Sequence, residues 1–93
     1  MTTLPPTARL TVPPELIETD LTSELILLDP TTQEMFSLND SGRVAWLALR
    51  TSDLAGAVDA VVRTFEVTHE QAETDVRVLV TRLLESGLLS RSA

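Results

Sequence analysis

One stretch constrains the fold of this chain more than any other: Gln33 to Leu49, QEMFSLNDSGRVAWLAL. Glu34 to Leu38 sets aromatic and aliphatic residues among polar ones, the pattern of a short strand. Asn39-Asp40-Ser41-Gly42 stops that strand, since all four residues favour turns, and Asn39 or Asp40 supplies a cap for a helix. Arg43 to Leu49 reads as that helix, with Val44, Leu47 and Ala48 on one face and Trp46 beside it. A strand therefore passes into a helix with almost no linker. Residues before the junction read as extended and residues after it as helical.

Upstream, Arg9 to Val12 is expected to be extended, and Pro13-Pro14 forbids a helix there. Glu15 to Leu21 reads as a first strand containing Leu16 and Ile17. Leu25-Ile26-Leu27-Leu28 is a continuous apolar run that fits a central strand buried on both faces. Asp29-Pro30-Thr31-Thr32 supplies the next turn, with Asp first and Pro second. Three strands with short connections make a meander, and Glu34 to Leu38 lies at its edge if the apolar run is central.

Downstream, Thr51-Ser52-Asp53 caps a second helix whose Leu54, Ala57, Val58, Val61, Val62 and Phe65 form one apolar stripe. Thr68-His69-Glu70-Gln71 matches a capping box opening a third helix. Its stripe is Ala72, Val76, Leu79, Val80 and Leu83, with Leu84 at the margin, and Gly87 is placed to end it. Leu88-Leu89 can then fold back onto the core. The expected architecture is α+β: a three-stranded antiparallel meander followed by three α-helices. It is read as one domain over 10–89, with a loose tail at 1–9 and a short one at 90–93.

Composition narrows the function. Ninety-three residues leave room for one core, and 43% apolar with 23% charged residues is ordinary globular composition. There is no cysteine, hence no disulfide and no thiolate chemistry. No apolar run approaches the ~18 residues of a membrane span, and MTTLPPTARL lacks a secretion-signal pattern. A cytoplasmic protein is the plain reading. His69 is the single histidine and falls in an exposed first helical turn. The acids follow no ligand spacing, and Gly42, Gly56 and Gly87 are isolated, so no metal, cofactor or phosphate site is expected. Trp46 and Phe36 read as core rather than as a stacking platform. A catalytic role is not expected.

Two features exceed core-building. Between Arg9 and Arg43 lie Glu15, Glu18, Asp20, Glu24, Asp29, Glu34 and Asp40, without one basic residue, in a chain of net charge −7. This is either a solvated acidic face or a field that draws cationic partners. In the third helix, Gln71, Asp75, Val78 and Arg82 fall on one strip beside the apolar stripe. Val78 is either an ordinary exposed valine or part of a mixed groove wall. An edge strand beside such a helix can take up an extended peptide as an added strand, and Glu34 is the only charge along Glu34 to Leu38.

The same residues carry a resemblance. Leu38-Asn39, Ser41-Gly42 and Trp46 are similar to a pattern of the PqqD-like family: Leu-Asn, any residue, Ser or Thr, Gly, three residues, Trp. Ala72, Asp75, Val76 and Leu79, and then Leu83-Leu84 and Gly87-Leu88-Leu89, resemble the family's last helix and its exit. The family is named for protein D of pyrroloquinoline quinone biosynthesis and includes leader-peptide recognition domains of ribosomal peptide maturation. The resemblance implies a winged-helix-like fold and a leader held between the third strand and the third helix. It places the leader against Glu34, Met35, Phe36, Ser37 and Leu38 on one side and Asp75, Val78, Leu79 and Arg82 on the other. Met35 is a departure, because relatives often carry an aromatic there. A stand-alone chain of this kind resembles the leader-binding proteins of lasso-peptide maturation, which implies a precursor peptide, a leader peptidase and a macrolactam-forming cyclase as partners. The chain is expected to be a monomer or homodimer. The competing readings are a subunit that only dimerises through its edge strand, and a winged-helix DNA-binding regulator. The latter needs a basic third helix, whereas Glu70 to Leu89 sets Glu70, Glu73, Asp75 and Glu85 against Arg77 and Arg82.

Overall fold

In the computed structural model, residues 4–91 are described. They form, in order, β1 (Leu10–Thr11), β2 (Ile17–Asp20), β3 (Leu25–Leu28), β4 (Met35–Leu38), α1 (Asp40–Leu49), α2 (Leu54–Phe65), α3 (His69–Glu85) and β5 (Ser90–Arg91). β2, β3 and β4 make the antiparallel meander, with β3 central and β4 at an edge. Three helices follow, so the α+β reading holds.

The turns follow side-chain chemistry. Asp20 Oδ1 accepts from the Thr22 N–H at 2.9 Å, and Thr22 takes a positive φ of 74° in the β2–β3 turn. Asp29 Oδ1 accepts from the Thr31 N–H at 2.9 Å, closing the Asp-Pro turn before β4. Asn39 is the cap of α1: its Oδ1 accepts from the Gly42 N–H at 3.0 Å. The helix therefore starts at Asp40, earlier than the expected Arg43, and Gly42 lies inside its first turn. Asp53 and Thr68 cap α2 and α3 in the same way. At the end of α3, Gly87 adopts φ 80°, and the N–H groups of Gly87 and Leu88 reach back to Leu84 and Leu83. That is a Schellman exit, which glycine adopts without steric cost. It turns Leu88 and Leu89 inward, where both are buried.

Register decides the two faces of the sheet. Glu18, Leu27 and Phe36 lie in one row and Asp20, Leu25 and Leu38 in the next, all facing the helices. Ile17, Leu28 and Met35 align on the opposite face. The expectation that β3 is buried on both faces is corrected accordingly: Leu25 and Leu27 are buried, whereas Ile26 and Leu28 are half-covered. Helices cover only one side of this sheet.

A second correction concerns α1. Gly42, Ala45, Trp46 and Leu49 face inward, and Leu47 is exposed. Trp46 has the largest apolar surface in the helix and sets its rotation; the smaller Val44 and Ala48 take the margin. α2 lies between α1 and α3. Its stripe holds, with Leu54, Ala57, Val58 and Val61 buried and Val62 and Phe65 packed at the edge.

The ends of the described chain are tied to the core. Leu4 and Ala8, in the stretch read from sequence as a tail, are buried. The Arg77 guanidinium donates to the Leu4 carbonyl at 2.6 Å, and the N–H groups of Leu54 and Ala55 donate to Ala8 and Pro6. β1 pairs with β5 through Leu10 opposite Arg91 and Thr11 opposite Ser90. This small second sheet was not expected at 90–93. Residues 1–3 and 92–93 of the expected tails lie outside the described residues.

Candidate functional site

The site is built on the free edge of β4. Asp29 donates to the Glu34 carbonyl at 2.9 Å, which makes Asp29 and Glu34 a hydrogen-bonded pair at the start of the β3–β4 ladder. In antiparallel ladders such pairs alternate with non-bonded ones. Phe36 and Leu38 therefore bond to β3, and Met35 and Ser37 turn their N–H and C=O groups to the open edge. The β2–β3 ladder agrees: Leu21 donates to the Glu24 carbonyl, so Ile26 and Leu28 bond to β2 and leave Leu25 and Leu27 for β4. An added strand meets two outward N–H and two outward C=O groups.

Beside this edge a groove of about 460 Å³ runs between β4 and α3. Its strand side is Phe36, Ser37 and Leu38; its floor is Gly42, Ala45, Val61 and Val76; its helix side is Asp75, Val78, Leu79 and Arg82. Gly42 and Ala45 are the small members of that floor. An added Cβ on Gly42 lies 3.2 Å from Leu38 Cβ, so a larger side chain there presses β4 outward. The Arg82 guanidinium sits 5.9 Å from the Phe36 ring centroid, a cation–π contact joining the two walls.

Of the residues named from sequence, Phe36, Ser37, Leu38, Asp75, Val78, Leu79 and Arg82 all line this groove. Val78 is 55% exposed with no core role, as its strip position implies. Two others stand elsewhere. Glu34 precedes β4 and closes the turn; its N–H donates to Thr32 Oγ1 at 3.3 Å. Met35 is within β4, but its side chain is on the far sheet face and 66% exposed. Its side chain is therefore not part of the groove lining. Asn39, Ser41, Gly42, Ala45, Val61 and Val76 complete the lining without having been named from sequence as site residues. The signal available for Gly42 and Ala45 was small size on the helix that begins where the edge strand ends.

The acidic run is partly spent on the fold. The Trp46 Nε1–H donates to Glu18 Oε1 at 2.7 Å, and Glu18 is ion-paired with Arg50. Arg43 holds Asp20 through two contacts of 2.7 and 2.8 Å. The Arg43 guanidinium, with the Thr22 N–H, lowers the Asp20 carboxyl from its ordinary 3.8 to about 2, and Asp20 in turn raises Arg43. Both acids lie on β2, the edge opposite the groove. Among the described residues, no group of three or more His, Cys, Asp or Glu converges as metal ligands, and no helix is long and apolar enough to cross a membrane.

A search of curated proteins returns no match. Among solved structures, one similar chain is TbiB1 in complex with the TbiA(beta) leader peptide, with a TM-score of 0.79 and 24% identity over 88% of this chain and 96% of that one. Another is lasso peptide synthetase B1 complexed with the leader peptide, with a TM-score of 0.71 and 28% identity over 88% of this chain and 98% of that one. The family model for coenzyme PQQ synthesis protein D (PqqD) matches residues 24–89, from the turn before β3 to the last buried leucine. That span holds the open strand, the groove floor and the groove wall, and the chain belongs to the PqqD family.

Proposed function

We propose that this chain is a non-catalytic binding protein that takes up the leader segment of a ribosomally made precursor peptide as an added strand on β4. One observation carries the reading: Met35 and Ser37 turn unpaired main-chain groups outward beside a groove with an apolar floor. Strand addition supplies sequence-tolerant affinity through the backbone, and the groove selects side chains. The leader-bound state of both similar solved chains supports the same reading. The protein then delivers the precursor to a leader peptidase and a macrolactam cyclase, as in lasso-peptide maturation.

The open edge also favours a second reading, self-association through β4 with no peptide ligand. Size-exclusion mass separates the two when a synthetic leader, taken from a precursor encoded beside this chain, is added. The leader-binding reading predicts that the peptide co-elutes with one copy of the chain, or dissolves a dimer formed through the edge. A dimer that persists and excludes the peptide contradicts it.

A further inference from the structure

Asp75 and Arg82 stand seven residues apart on α3, about 10.5 Å along the axis and on nearly the same face. Both line the groove. Among the described residues neither is in an ion pair, and the Arg82 guanidinium sits over the Phe36 ring. Among the described residues that line the groove, Asp75 and Arg82 carry the charges, and nearby Arg43 is held by Asp20 on the far strand. The groove therefore has one negative and one positive pole with an apolar floor between them.

The poles have a fixed sense relative to β4. Arg82 lies over Phe36, and the lining continues through Leu38 to Ser41 and Gly42 without returning to Met35. Asp75 accordingly stands toward the α1 end of the strand. A peptide adding antiparallel to β4, as every strand of this sheet does to its neighbour, runs from the Asp75 pole to the Arg82 pole. Its groove-facing side chains alternate with outward ones. Two residues span about 7 Å and four about 14 Å, which bracket the separation of the poles.

Resting on the leader-binding reading, we propose that Asp75 and Arg82 set the direction and register of the bound peptide. They select a basic residue followed, two or four positions later, by an acidic one.

The test selects from a library of random 16-residue peptides displayed against the full chain, and then against the Asp75→Arg/Arg82→Asp double variant. The native chain should enrich the basic-then-acidic order, and the double variant should enrich the reverse order. On one selected peptide, each charge reversal should weaken binding about two- to fivefold, as exposed charge pairs do. Circular dichroism checks that the double variant is folded. Enriched peptides that protect the Ser37 amide from exchange but show no charge order, or an order unchanged by the double variant, overturn this inference alone. Enriched peptides that leave the Ser37 amide unprotected overturn the leader-binding reading beneath it.

Discussion

Glu18 carries one contact to α1, at the Trp46 indole, and one to Arg50 at its C-cap, and so pins the first helix to the far strand. Trp46→Phe keeps most of the buried ring volume but removes that N–H. The change should lower stability by about 1–3 kcal/mol, in line with a hydrogen bond to a charged group, and urea unfolding measures it. Val78 presents the opposite case. Being 55% exposed on the groove wall, it should tolerate Val78→Asp within about ±0.5 kcal/mol of stability. The same variant should bind a leader more weakly, which anisotropy of a labelled peptide detects. At this scale the sequence was legible where spacing sufficed: the strip of Asp75, Val78 and Arg82 follows from helical geometry. The partner of Trp46 was not legible, because Glu18 lies 28 residues away and nothing local links them.

At the scale of elements, the α2 and α3 stripes and the caps at Asp53 and Thr68 were readable, since each depends on neighbours in sequence. α1 was misread in start and rotation because Asn39 and Asp40 both make good caps and a ten-residue helix offers few turns to fix its phase. β4 was recognisable as an edge strand, yet which of its amides face outward depends on register, and a slip of one residue reverses them. The Asp29 to Glu34 bond sets that register and assigns Ser37 to the open side. Ser37→Pro then removes an amide that bonds nothing in the sheet, a position where strands accept proline. The variant should remain folded by circular dichroism and lose leader affinity by about 1–3 kcal/mol, roughly 5- to 150-fold in Kd. A folded variant with unchanged affinity contradicts this assignment.

For the whole molecule, β1–β5 pairing and the packing of Leu4 and Ala8 join the two ends of the described chain to the helices. Such contacts span most of the sequence and leave no local pattern. Charge also acts at this scale. Asp20 titrates at about 2 in the folded state, below its ordinary 3.8, so its pairing with Arg43 stabilises the fold fully above about pH 4. That contribution is lost as pH falls through about 2. Thermal unfolding from pH 5 to 2 should therefore show a smaller drop in Tm for Asp20→Asn than for the native chain, and high salt should shrink the difference. The central claim is strand addition at β4, and amide hydrogen exchange at single residues tests it most directly. On saturation with a synthetic leader, the Met35 and Ser37 amides should change from fast to protected, while Phe36 and Leu38, already bonded to β3, should change little. Protection confined to α3, with Met35 and Ser37 still exchanging freely, would contradict the account.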